Sequence, residues 1–234
     1  MTKHISFDLW MTLIRSDPRF KQERALLFRS FFGLTVPEAQ VLSVFRETDL
    51  LVNRINEIVG KNILPHEMYL INLNKLGADL EHITVTELDA FYALSEELFF
   101  KYAPQLLCAE TPLLLEQLKD NGYTLNILSN TGYIPGKTLR KLLHRLELED
   151  QLCFQLYSDE TGFSKPAPEM FALMISAAGK LHDGQLNAAQ ILHIGDNKVA
   201  DIAGANKAGM QSCLVINYEN NLKQLFYDTG ICLT

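Results

Sequence analysis

The sequence predicts an α/β fold: a doubly wound, mostly parallel sheet with an all-helical domain inserted after the first strand. Three observations predict it. A short apolar run near the N-terminus stops at an aspartate. A long stretch, residues 15–105, is periodic at helical spacing and lacks a convincing strand. The rest of the chain alternates strand-like runs with helical ones. Such alternation implies parallel strands with helices on both faces, and sheets of that kind bind ligands at the carboxyl ends of their strands.

Residues 4–8 read as a buried strand, His4-Ile5-Ser6-Phe7, feeding a polar turn from Asp8 to Thr12. From about residue 19 the period becomes helical, with Leu26, Leu27, Phe28, Phe31 and Phe32 on one stretch. Pro37 suits the first turn of a second helix, whose apolar residues run from Val41 to Ile58 at spacings of three and four. Pro65 opens a third helix, which Gly77 closes, and a fourth spans about residues 85–102. Beyond the insertion, helices are predicted over residues 113–121, 135–146, 166–178 and 199–208. Strands are predicted over 123–128, 152–157, 191–194 and 212–216. The domain boundaries that follow are 1–14 with 106–234 for the α/β core and 15–105 for the helical insertion. Asp8, Ser129 and Asp196 each fall just past a predicted strand end, so one rim of the sheet gathers all three.

With 47% hydrophobic residues the chain can bury one core and a smaller satellite. Its net charge of −7 argues against a general nucleic-acid binder, which needs basic surface to displace counterions. Cys108, Cys153, Cys213 and Cys232 form no C-x-x-C pair and no zinc spacing, so they read as idle thiols. No apolar run approaches the roughly 18 residues that would span a bilayer. Met1 to Ser6 lead straight into a strand, without a signal peptide. A reducing, cytoplasmic setting and no membrane partner are therefore expected.

The rim residues suit phosphoryl transfer. An anionic phosphoryl group must be neutralised by cations, and an aspartate can split its transfer into two easier displacements. Asp8 could attack with one oxygen while the other binds a metal. Magnesium favours a few carboxylates together with substrate oxygens and water, and Asp196 could be the second carboxylate. Ser129 could donate to a phosphate oxygen, and Lys165 could neutralise Asp8 and the phosphoryl group together.

Asp8-Leu9-Trp10-Met11-Thr12 resembles the first motif of the haloacid dehalogenase-like hydrolases. Ile127-Leu128-Ser129-Asn130-Thr131 resembles the second. Lys165, within the stretch from Gly162 to Phe171, resembles the third, and Ile194-Gly195-Asp196 through Asp201 the fourth. All four occur in order and bracket nearly the whole chain. The resemblance implies a Rossmann-like core whose helical insertion is a cap, and a small phosphorylated metabolite as substrate. It implies Asp8 as nucleophile, Thr12 holding its loop, and Ser129, Asn130 and Lys165 binding phosphate. It implies Mg2+ held by the Asp8 and Asp196 carboxylates and the Trp10 carbonyl. Asp201 would orient the metal's waters or Lys165, and Asn197 would contribute similarly.

Two positions depart from the pattern. Phosphatases of this family carry a second aspartate where this chain has Trp10; it protonates the leaving group and then activates water. An indole is a donor only and cannot serve as base, so slow turnover is expected. Met11 replaces the glycine usual before the threonine. Dehalogenases of the superfamily also lack the second aspartate and commonly have tyrosine there, which Trp10 resembles. They work without metal, however, lack an aspartate at the position of Asp196, and tend to have tyrosine where this chain has Phe171. Three readings stand: a metal-dependent phosphohydrolase, a 2-haloacid dehalogenase-type hydrolase, and a non-catalytic protein that binds phosphate and metal. In the insertion, Arg15, Arg46 and Arg54 read as solvated helix-face charges. His66, His82, His144 and His182 form no ligand set, and His193 reads as a satisfied core residue.

Overall fold

The computed structural model describes residues 1–215 together with Phe226 and Ile231. Ile216, at the end of the last expected strand, and Cys232 lie outside the described residues. The chain enters through strand β1 (His4–Phe7), buried on both faces. A two-residue strand, β2 (Ile14–Arg15), leads into four helices: α1 (Pro18–Phe31), α2 (Glu38–Val59), α3 (Pro65–Lys75) and α4 (Val85–Lys101). The return strand β3 (Gln105–Leu106) pairs antiparallel with β2, Ile14 opposite Leu106. Entrance and exit of the helical segment are thereby tied together. This pair was not expected, because two residues are too few to show a period.

Local chemistry fixes the helix ends. Asp17 caps α1 by accepting from the Arg19 amide, and Pro18 supplies the first turn. Thr84 and Glu87 form a reciprocal capping box on α4. Val41, Val44, Phe45, Thr48, Val52 and Asn56 make the buried stripe of α2. With Phe28, Met68, Tyr69, Leu73, Leu88 and Phe91 they form a separate hydrophobic core among the four helices, which Tyr133 joins from outside.

After β3 come α5 (Thr111–Asp120), β4 (Thr124–Ser129), α6 (Gly136–Arg145), β5 (Phe154–Tyr157) and the single turn α7 (Ser158–Thr161). Then follow α8 (Pro168–Lys180), β6 (Ile191–Gly195), α9 (Gly204–Lys207) and β7 (Gln211–Leu214). The five long strands form one sheet in the order β5–β4–β1–β6–β7, parallel throughout. Leucines of α5 and α6 cover one face over Ile5, Phe7, Leu125 and Ile127. Met170, Phe171, Met174 and Ala205 cover the other over Leu128 and Ile191. The α/β fold expected from the alternation is the fold observed.

Two boundaries differ from expectation. The helix expected from residue 166 starts at Pro168, after the segment that carries Lys165. Residues Lys198–Ala203 form a π-helical turn, a form enriched at functional sites, before α9 continues it. No helix among the described residues is long and apolar enough to cross a membrane.

Candidate active site

Register builds the site. Phe7 lies opposite Ile127 of β4 and Ile194 of β6, so these three central strands finish level and Asp8 emerges between their ends. The chain runs from β1 outward to β5 on one side and then to β6 and β7 on the other, making this rim the switch point where α/β sheets bind ligands.

Lys165 is at the centre. It is 1% exposed, and all three of its ammonium protons are used. Nζ donates to Asp8 Oδ1 at 2.8 Å, to Asp201 Oδ1 at 2.6 Å and to the Leu128 carbonyl at 2.6 Å. Asn130 holds the backbone of Lys165 at two points: the Lys165 amide donates to Asn130 Oδ1 at 2.7 Å, and Asn130 Nδ2 donates to the Lys165 carbonyl at 2.9 Å. The side chain of Asn130 is therefore committed to positioning. Ser129 is fully buried, its hydroxyl 3.2 Å from the Asn130 carbonyl. Thr12 reaches Asp8 Oδ2 only at 3.5 Å, so that oxygen is the less engaged of the two. Met11 occupies φ 59°, the left-handed region where a glycine would be at ease and a methionine is strained. Trp10 is half-buried and packs on the main core.

Behind Lys165 runs a second row. Asp201 Oδ1 also receives His193 Nε2 at 3.1 Å, and His193 Nδ1 lies 3.0 Å from Ser6 Oγ. Burial lowers the imidazole's pKa, so the ring is neutral. A carboxylate only accepts, so Nε2 carries the proton and Nδ1 accepts from Ser6. His193 is a satisfied core residue as expected, but it also braces Asp201. The other Asp201 oxygen accepts the Asn197 amide at 2.9 Å. Gly195 makes this fold-back feasible: a Cβ there would lie 2.3 Å from the Asp201 carboxyl carbon.

Asp196 stands exposed at the mouth. One oxygen from each of Asp8, Asp196 and Asp201 lies within 4.8 Å of the others, and Lys165 is the only cation among their hydrogen-bond partners in the described residues. Asp8 is raised to about 6: burial pushes it up most, Lys165 pulls it down, and Asp201 and Asp196 add to the rise. Burial opposes ionisation of Asp201 too, but Lys165 and His193 outweigh it and hold that carboxyl well below the usual range. Burial also works against the Lys165 ammonium, and Asp201 and Asp8 more than restore it. Asp196 is raised by burial and by Asp201. An all-oxygen cluster with more negative than positive charge suits a hard divalent cation. Asp201 already accepts three hydrogen bonds, which leaves Asp8 Oδ2 and Asp196 as the available donors.

Several contacts that reach the site from the helical segment had no sequence signal. Asn197 caps the turn that follows it through Oδ1 and donates from Nδ2 to Glu57 at 2.8 Å. Ser158 and Ser164 both donate to Asn62 Oδ1, at 2.7 and 3.3 Å. The Ser164 amide donates to the Gly60 carbonyl at 3.2 Å. The end of α2 is thus zipped to the loop that carries Lys165. Arg15, Arg46 and Arg54 are all exposed, as expected of solvated charges.

The chain is 31% identical over 156 residues to a ribulose-1,5-bisphosphate 5-phosphatase of Halopiger xanaduensis, covering 66% of this chain and 60% of that one. It is 27% identical over 215 residues to a glyceraldehyde 3-phosphate phosphatase of Methanopyrus kandleri, covering 90% and 82%. Two of the curated relatives are matched over only 54% and 60% of their own length. Among solved structures, a HAD-hydrolase of Bacillus subtilis bound to magnesium has the same fold, with TM-score 0.69 and 20% identity over 98% of this chain and 99% of that one. The family model for haloacid dehalogenase-like hydrolase matches residues 2–209, a span that contains every residue of the rim just described. With Asp8, Ser129 and Asp196 at strand ends and Lys165 bonded to Asp8, the chain matched by that model belongs to the haloacid dehalogenase-like hydrolases.

Proposed function

We propose that the protein is a magnesium-dependent phosphohydrolase that acts on a small phosphorylated metabolite through an aspartyl-phosphate on Asp8. The observation that carries this is the half-free Asp8 carboxylate, fixed by Lys165 through Oδ1 and open at Oδ2, beside a second carboxylate at Asp196. The phosphatase names of the relatives support the same reading. Asp8 and Asp196, with the Trp10 carbonyl, would hold Mg2+; when bound it supplies charge neutralisation for the phosphoryl oxygens. Ser129 and the loop amides that follow it would orient the phosphoryl group, and Lys165 would hold Asp8 ionised and aimed.

The Asp8 carboxylate attacks phosphorus through one oxygen, the bond to the leaving oxygen breaks, and that oxygen departs with the electron pair and takes a proton from solvent. Water then attacks phosphorus, the bond to Asp8 breaks, and inorganic phosphate leaves with Asp8 restored. The Trp10 indole cannot activate that water, so the second step is the slow one. Residues 15–105 act as a cap domain that excludes water and sets specificity, held shut by the Glu57 and Asn62 contacts. The −7 net charge argues against a general nucleic-acid binder and is compatible with a small anion held in a locally positive pocket.

Phosphate release from a panel of phosphorylated metabolites, with and without Mg2+ and with Asp8→Asn as control, tests the proposal. Metal-dependent release that Asp8→Asn abolishes is expected. Trp10 favours a second reading, carbon–halogen hydrolysis; halide release from 2-haloacids without metal would support it and displace the first. A chain that binds phosphate but releases none from any ester would be the non-catalytic binder.

A further inference from the structure

Arg24, on α1, is 6% exposed, in contrast to the surface arginines of the helical segment. Its guanidinium lies 4.3 Å from the centre of the Tyr133 ring, 4.6 Å from Phe45 and 5.1 Å from Phe20. Nε is buried and unpartnered, and among the described residues Arg24 makes no hydrogen bond and no ion pair. A guanidinium is a permanent cation with five donors in a planar fork. Aromatic faces replace part of its hydration, but none of them accepts that fork. A buried charge in this condition is costly, and native proteins retain such groups where they recognise something.

Its position says what. Tyr133 is four residues beyond Ser129, on the loop that leaves the rim. Its ring plugs into the helical core, and its hydroxyl accepts from Asn72 at 2.9 Å. Phe20 belongs instead to the core cluster that contains Leu9 and Leu13, which flank the nucleophile loop. Arg24 thus packs, through Tyr133, against the loop that leaves Ser129, on the side of the helical segment. The surroundings are also polar beyond need. Thr48 Oγ1 on α2 is buried and unpartnered, and among the described residues the buried Tyr69 and Ser95 hydroxyls on α3 and α4 have only each other to bond. Tyr69 and Asp49 both lie near enough to feel the Arg24 charge. Asp49 leaves the guanidinium without a contact ion pair.

We propose that Arg24 is the specificity residue of this enzyme: it takes a second oxyanion, carboxylate or phosphate, at the far end of a substrate whose phosphoryl group sits against Asp8. The inference rests on the phosphohydrolase reading above and narrows its substrate class to phosphomonoesters with a distal anion. The planar fork favours a bidentate carboxylate or phosphate over a hydroxyl.

Three esters distinguish the sources: 3-phosphoglycerate with a distal carboxylate, fructose 1,6-bisphosphate with a distal phosphate, and glycerol 3-phosphate with an uncharged tail. Each is assayed for hydrolysis by the wild type, Arg24→Met and Arg24→Lys. Each is also titrated calorimetrically against Asp8→Asn, with and without Arg24→Met. Arg24→Met should raise KM for one of the dianionic esters about 10- to 100-fold with kcat nearly unchanged, and leave glycerol 3-phosphate alone. Arg24→Lys should fall between, because it keeps charge but loses the fork; it also carries the comparison if Arg24→Met does not fold by thermal melting. The calorimetric preference should disappear with Arg24. Equal effects on all three esters, or none, overturn the inference while leaving the phosphohydrolase intact. If the wild type hydrolyses nothing but Asp8→Asn binds a dianionic ester through Arg24, the phosphohydrolase reading falls and the anion site stands. No Arg24-dependent binding and no hydrolysis removes both.

Discussion

Neutralising Asp8 should stabilise the metal-free protein. In Asp8→Asn the amide oxygen can still accept from Lys165, and the amide nitrogen replaces Oδ2, whose one hydrogen bond, from Thr12, is long at 3.5 Å. What disappears is the cost of a buried carboxylate. Asp8 has a folded-state pKa of about 6 against 3.8 when unfolded, chiefly because it is buried. A gap of that size is worth about 3 kcal/mol. The sign follows from the direction. A carboxyl raised in the folded state binds protons more tightly there than when unfolded. Its penalty is therefore complete above pH 6 and fades as the pH falls toward 3.8. Asp8→Asn should be more stable than wild type by up to about 3 kcal/mol at pH 8 in EDTA, and the gain should vanish near pH 4. Urea denaturation at pH 8, 7, 6, 5 and 4, followed by far-ultraviolet circular dichroism, measures this. Saturating Mg2+ should reverse the order, because an ion bound to the native wild type alone stabilises it by mass action. If Asp8→Asn is the less stable protein at pH 8 without metal, the burial argument for Asp8 is wrong.

Asp196→Ala should abolish calorimetric Mg2+ binding while leaving the melting temperature in EDTA nearly unchanged, since the side chain is exposed. Gly195→Ala should cost about 1–3 kcal/mol in urea and slow hydrolysis, because its Cβ would meet the Asp201 carboxyl at 2.3 Å. In rapid-quench experiments with an aryl phosphate, the wild type should show a burst near one product per site and then a slow rate. Trp10→Asp should speed the slow phase by at most about 10² to 10⁴, and brisk wild-type turnover without a burst would show that another group supplies the base.

The strands and the rim were legible because their signals are local. An apolar run that stops at Asp8, Ser129 or Asp196 needs only a few residues to be seen, and a parallel sheet makes such ends converge. Asp201 was legible as a supporting residue, but its closeness was not. Its 2.6 Å bond to Lys165 depends on a π-helical turn and on the missing side chain of Gly195. Asn130 read as a substrate ligand because it follows Ser129; its partner is a backbone 35 residues away, which no local pattern reveals. Arg24 escaped for a related reason. A cation on an amphipathic helix ordinarily faces water, and only the arrival of Tyr133 and Phe45 from other segments buries it. The contacts of Glu57 and Asn62 with the rim are equally non-local.

The charge on the rim gives Trp10 a meaning beyond a lost base. Three carboxylates already cluster around one lysine, and Asp201 and Asp196 add to the burial that pushes Asp8 up to about 6. A fourth carboxylate at position 10 would push Asp8 further, so that at neutral pH without metal more of it would be protonated and unable to attack. The indole avoids this and adds apolar contact with the main core. On the proposed mechanism, tryptophan in place of the second aspartate trades speed in the hydrolytic step for an Asp8 that ionises more readily. The trade is visible in one comparison: the benefit of Trp10→Asp should appear at saturating Mg2+, where the added charge is balanced, and shrink or reverse when the metal is limiting. A benefit independent of metal concentration would mean that charge crowding does not govern Asp8, and that the indole affects only access of water.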